Sequence, residues 1–202
     1  MDIIKSAVER LRTATHDSGL EDGDIILKVN PAAVLCQYER GACMEAHFAE
    51  SVAEFVTMEP TRVKTRLSFL FVGEIGTPQQ RAAAGAIINA VTGFLLISRI
   101  RRACLPESHS LCLLDLSKLI GSAKIYPLGR IPKIQEKFGH HVVEDPEHAD
   151  LILFNGDAMI SPEGEALLGR FMGKKRVLFL GPSTAGTCSL LRYEHHCPYG
   201  RR

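Results

Sequence analysis

The spacing of hydrophobic positions changes several times along this chain, and each change predicts an element. From Asp2 to Thr13, Ile4, Val8 and Leu11 fall on one helical face. Asp17-Ser18-Gly19 stops that helix, Ile25-Ile26-Leu27-Lys28-Val29 predicts a strand, and Asn30-Pro31 signals a turn. Between Met44 and Val56, Phe48, Val52 and Phe55 recur at helical spacing, which predicts a second helix. Pro60 and the mixed charges of Arg62, Lys64 and Arg66 mark a boundary, with an α+β region over 1–66 and a second domain over 67–202. Leu67 to Val72 is an unbroken apolar run and predicts a buried strand. Thr77 then suits an N-cap and Pro78 a first helical position, opening a helix that runs to Phe94. Ser110 to Leu116 predicts another strand.

The last third has a different rhythm. Lys124–Leu128, His141–Val143, Asp150–Phe154 and Arg176–Leu180 are short apolar strands, separated by turns and helical stretches such as Ile131–Phe138. Such strands belong to a parallel sheet covered on both faces. The fold class expected is α/β: a Rossmann-like, mostly parallel sheet with helices on both faces, plus a smaller α+β N-terminal part. The strands end in small or polar tips: Gly129-Arg130, Glu144-Asp145, Asn155-Gly156-Asp157 and Gly181-Pro182-Ser183-Thr184. In open sheets of this kind ligands sit outside the carboxyl ends of the strands. Gly129 before a helix offers free N–H groups to an anion. Glu144 follows where a ribose-binding acid would stand, which suits S-adenosylmethionine or a mononucleotide. Leu128-Gly129-Arg130-Ile131-Pro132 has one glycine where a dinucleotide fingerprint needs three, against NAD or FAD. The same tip residues are also ordinary turn formers.

Composition narrows the field. The 202 residues are 46% hydrophobic and 23% charged, as in an ordinary folded protein. A net charge of +1 and the absence of Trp argue against a nucleic-acid partner. The longest apolar run, Ala82 to Ile97, is interrupted by Asn89 and Thr92 and is short for a membrane span. The early acid in Met1-Asp2-Ile3-Ile4-Lys5 does not fit a signal peptide, so a cytoplasmic protein is expected. Its six cysteines are then free thiols or metal ligands. Cys43 and His47 would share a face of the predicted helix with Glu50 and Glu54, and Cys36 could approach from the preceding loop as a third metal ligand. A second thiol-and-imidazole set, Cys188, His195, His196 and Cys197, suits zinc, copper or an iron–sulfur centre. Arg99, Arg101 and Arg102 make a basic spot that is expected to be a solvated face.

Several segments also carry a family resemblance. Gly129-Arg130-Ile131-Pro132, Val142-Val143-Glu144, Ala149–Leu153, Asn155-Gly156-Asp157-Ala158 and Leu180–Thr184 resemble the Rossmann-like half of the heavy-metal chelation family, whose function is unsettled. Upstream, Ala84–Ala90 resembles that family's helix with an Ala-Ile-Asn-Ala type motif, so the likeness spans 80–185. It implies an enolase-N-terminal-like part paired with the Rossmann-like part. A ligand or metal-chelate site would lie in the cleft between them, lined by Asn89, Gly129, Asn155, Gly181, Ser183 and Thr184. The function expected is ligand binding: a metal, or a small anionic metabolite whose charge Arg130 would offset. The alternative is a methyltransferase-like enzyme using S-adenosylmethionine or a mononucleotide. The cofactor is accordingly a transition metal or S-adenosylmethionine, and a homodimer through a sheet edge or helix face is expected.

Overall fold

The computed structural model describes residues 2–129 and 131–202, with Pro132 by its backbone alone. Helix α1 (Ile3–Thr15) starts at Asp2, whose carboxylate accepts a hydrogen bond from the Lys5 N–H, and buries Ile4, Val8 and Leu11. Strands β1 (Asp24–Val29), β2 (Ala42–Phe48), β3 (Ser51–Thr57) and β4 (Val63–Arg66) form an antiparallel sheet in the order β3-β2-β1-β4. The helix expected between Met44 and Val56 is therefore a β-hairpin. Its true period is two: Met44, Ala46 and Phe48, with Ala53 and Phe55 opposite, enter the core, while Cys43, Glu45, His47 and Glu54 take the other face. Ala49 in the turn has φ 49°, and the turn resets the phase, so Phe48, Val52 and Phe55 mimic a helical spacing.

The run expected as a strand is helix α2 (Leu67–Val72). Six apolar residues do not reveal their period, and here only Leu67 and Leu70 are buried while Phe69 and Val72 face solvent. Helix α3 (Pro78–Phe94) begins as expected. Thr77 Oγ1 accepts from the Gln80 N–H, and the Gln80 side chain accepts from the Thr77 N–H, a reciprocal capping box. Ser110–Leu116, expected as a strand, lies within helix α4 (His109–Ile120), which buries Cys112, Leu116 and Ile120 at four-residue spacing.

Strands β5 (Ile125–Pro127), β6 (Leu151–Phe154), β7 (Arg176–Leu180) and β8 (His195–His196) then form a parallel sheet in chain order. Helices α5 (Pro132–Phe138), α6 (Gly156–Ile160), α7 (Pro162–Phe171) and α8 (Ala185–Leu191) connect them. The protein is thus α/β, with a Rossmann-like parallel sheet flanked by helices and an antiparallel sheet beside it. His141–Val143, expected as a strand, is a turn that touches β5 through a single Val142–Ile125 bridge.

Both faces of the parallel sheet are apolar. Ile152, Phe154, Val177 and Phe179 join the core formed with α1, α3, α7 and the antiparallel sheet. Leu151, Leu153, Leu178 and Leu180 pack instead with Cys112, Leu116 and Ile120 of α4 and with Ile134 and Phe138 of α5. Helix α3 lies between the two sheets' shared core elements, and from Arg81 to Gly93 only Ala83 escapes full burial. It touches β2 and β3 on one side and α8, α6 and α1 on others. Among the described residues no helix is long and apolar enough to cross a membrane.

Candidate functional site

The carboxyl ends of β5, β6 and β7 bring Gly129, Asn155-Gly156-Asp157 and Gly181–Thr184 to one rim. Gly129 turns (φ 76°) beside Asn155 and Ala158, and Gly156 packs against the Ser183 side chain. Arg130 lies outside the described residues. Glu144 stands one place further along this edge: Val142 bridges β5 in parallel on the side away from β6, and Glu144, two residues on, is exposed. Asp145 accepts from the Glu147 N–H and caps a short turn. The acid thus lies on the outer flank of β5, with the tips of β6 and β7 on the other side.

Most polar side chains of the rim have partners inside the chain. Asn155 Oδ1 accepts from the Ala158 N–H (2.9 Å) and caps α6, while its Nδ2 donates to the Tyr38 carbonyl (3.0 Å). Ser183 Oγ accepts from the Val56 N–H of β3 (2.8 Å). Thr184 Oγ1 donates to the carbonyls of Leu180 and Gly181. From α3, Asn89 Nδ2 donates to the carbonyls of Glu54, Pro182 and Ser183, and its Oδ1 accepts from the Gly186 N–H. These residues seal the junction between the parallel sheet and the antiparallel one. Asp157 is half-buried, with a long 3.5 Å contact from the Met58 N–H.

What meets the rim is the loop between β1 and β2, which carries Cys36, Tyr38 and Glu39. Glu39 is 6% exposed. The Ser183 N–H donates to its Oε1 (3.1 Å), but Oε2 is buried with no hydrogen-bond partner among the described residues. A Cβ at Gly181 would sit 2.8 Å from Glu39 Oε1 and 3.4 Å from Cys36 Sγ, so only glycine, at φ 83°, lets the strand tip approach this pair. Burial is the main force pushing the Glu39 carboxyl up to about 8; hydrogen bonds from Ser183 oppose it and the charge of Glu54 adds to it.

The thiols of Cys36 and Cys197 lie within electrostatic reach of this acid. Burial raises the Cys36 thiol well above its usual range, with Glu39, Cys197 and Cys104 adding to the shift. Cys197, just after β8, is raised mainly by burial and then by Glu39 and Cys104. Cys112 in α4 faces the Tyr38 hydroxyl at 3.3 Å and His196 Nε2 at 3.7 Å. Burial lowers the His196 pKa, while its Nε2–H donates to the Cys112 carbonyl. Glu54, raised chiefly by burial, accepts from the Ala103 N–H. Of this constellation the sequence singles out Cys36, His196 and Cys197. Glu39, Cys104 and Cys112 carry no spacing signal, because the fold gathers them from separate segments.

The metal set expected from the sequence does not assemble. Cys43 and His47 do share one face, but of a strand, where four residues span about 13 Å. His47 turns to Glu45 at 3.4 Å, and Cys43, pushed up to about 12 chiefly by burial, lies beside Glu54 and Glu45. Cys36 is at the tip of β7. Cys188 is buried beneath Thr184, and His195 Nε2–H donates to the Gly181 carbonyl (2.8 Å). Among the described residues no three His, Cys, Asp or Glu side chains are arranged to hold a metal ion as they stand.

No family model matches the chain. No curated protein matches it either. Among solved structures it is similar to a protein of unknown function of the DUF364 family from Pyrococcus horikoshii. The identity is 16%, the TM-score 0.49, and the match covers 90% of this chain and 78% of that one. A likeness that weak identifies neither a ligand nor a reaction, and the resemblance to heavy-metal chelation proteins gains no support from it.

Proposed function

We propose that the chain is a metal-binding protein whose ion lies at the carboxyl edge of the parallel sheet, between Glu39 and the thiols of Cys36, Cys104 and Cys197. The observation that carries this reading is the buried Glu39 oxygen without a partner. A carboxyl group out of water with one bare oxygen is costly unless something satisfies it. The surroundings of Glu39 favour a cation over an anion: Glu54 acts on it and no basic side chain among the described residues does, the positive charge of Arg102 and Arg201 being felt at Glu54. Thiols beside a carboxylate select a soft or borderline transition ion such as zinc, cadmium or copper. Bound there, such an ion would supply charge neutralisation and would keep the thiols ionised.

Titration of the protein with cadmium tests this. The ion should produce the ultraviolet charge-transfer band of cadmium thiolate and raise the melting temperature, by linkage of binding to the folded state. Cys36→Ser combined with Glu39→Gln should abolish both effects, while Cys188→Ser should leave the band intact. A wild-type protein that gives neither band nor thermal shift would end this assignment.

A further inference from the structure

Away from the rim, another part of the molecule gathers positive charge. Helix α3 ends where Leu96 adopts φ 57° and turns the chain back on itself. The segment that follows, 98–102, runs antiparallel to the last residues: Arg101 and Arg102 N–H both donate to the Arg201 carbonyl, and the Arg201 N–H donates to that of Arg102. Further bonds fix this strip. Ile97 and Ser98 N–H donate to the Thr92 carbonyl, the Glu54 N–H donates to the Arg101 carbonyl, and Arg201 Nε donates to the Ala103 carbonyl. Five arginines are thereby held together: Arg99, Arg101, Arg102, Arg201 and Arg202. Arg102 and Arg201 lie within electrostatic reach of Glu54.

Arg99, Arg101 and Arg202 instead line a pocket of about 220 Å³ together with Gly93, Leu96 and Ser98. Among the described residues no carboxylate lies within ion-pair distance of these three, whereas Arg81, Arg170 and Arg176 all have one. Arg101 is also held in place. A Cβ at Gly93 would sit 2.5 Å from Arg101 Cδ, so the helix leaves a notch that receives the arginine stem. Its Nη1 reaches Ser51 Oγ at 3.4 Å, and the rest of the guanidinium stays available.

We infer that this pocket binds the phosphate group of a small soluble metabolite. Several guanidinium groups lining one concavity, with backbone fixed and no acidic side chain paired with them among the described residues, match the planar bidentate recognition of phosphate oxygens. The volume falls below the range of drug-sized pockets and suits one or two phosphoryl groups on a compact body. The site is independent of Glu39 and its thiols, so it stands whether or not a metal binds there. Sequence alone shows three of the five arginines as a basic spot; the pairing of 102 with 201 supplies the rest.

Calorimetry on the full chain at low salt, with inorganic phosphate, pyrophosphate and AMP as separate probes, tests the inference. Saturable binding of at least one is expected, and the tightest of the three tells a free phosphate from an esterified one. Arg99 and Arg202 are exposed, so Arg99→Ala with Arg202→Ala should fold normally and weaken that binding by about tenfold or more. Arg101→Lys, which keeps the charge but loses the fork, should also weaken it. Absence of saturable binding, equal affinity in the variants, or binding seen only to anionic phospholipid vesicles or duplex DNA would overturn the proposal.

Discussion

Glu39 is the residue whose chemistry is most at odds with its surroundings. Its carboxyl is packed among Cys36, Cys197 and the tip of β7, with the Ser183 N–H as donor and Glu54 as a repelling neighbour. A carboxyl raised from 4.5 to about 8 is neutral in the metal-free fold at low pH. Above pH 4.5 the unfolded chain ionises freely while the folded one cannot follow, so stability is full below that point and is lost as pH rises to about 8. Metal-free protein should therefore melt at progressively lower temperature across this window. Glu39→Gln should flatten the profile and raise the melting temperature at its alkaline end; a variant with the wild-type slope would show that Glu39 is not the group responsible. Nothing in the sequence marks this residue, since Glu39 between Tyr38 and Arg40 looks like any loop acid. Cys36 is legible as a soft donor next to a turn, but its companions are not, because they arrive from α4, from the segment before it and from beyond β8.

At the scale of elements, α3 shows what local chemistry can announce. Thr77, Pro78 and Gln80 specify its start without help from the rest of the fold. Thr77→Ala should lower stability by about 1 kcal/mol in urea denaturation, with no change in the folded far-ultraviolet spectrum. An unchanged midpoint would mean that tertiary packing alone sets the helix boundary. The strands β6 and β7 are equally legible, because burial on both faces demands unbroken apolar runs. The hairpin of β2 and β3 is not: its turn lets three large side chains imitate a helix while the alternation of Met44, Ala46 and Phe48 passes unnoticed. Helices α2 and α4 fail for a related reason. Both are rich in apolar residues beyond the buried stripe, with Phe69, Val72, Leu111 and Leu114 exposed, so the stripe does not stand out.

Across the whole molecule, one amide joins both sheets. Asn89 reaches Glu54 in β3, Pro182 and Ser183 after β7, and Gly186 in α8, all from the middle of α3. Asn89→Ala would leave three carbonyls and one N–H to find other partners in a buried junction. The expected loss is about 2–4 kcal/mol, read as a shift of the denaturant midpoint. Amide exchange at Gly186 should accelerate along with it; protection there equal to wild type would show that the junction holds without this side chain. The resemblance to a two-part family marks Asn89 for a ligand in a cleft, and the structure places its amide in contacts within the chain.

The deep burial of α3 also has a consequence for how the chain is made. One side is covered by β2 and β3, which precede it, but the other waits for α6 and α8, which follow by about sixty residues or more. At ordinary translation rates that interval lasts roughly 3–12 s. During it the part of the alanine-rich surface that α6 and α8 will bury is left without those two partners, while β2, β3 and α1 are already made. The packing of α3 is thus completed only when the last third of the chain has emerged.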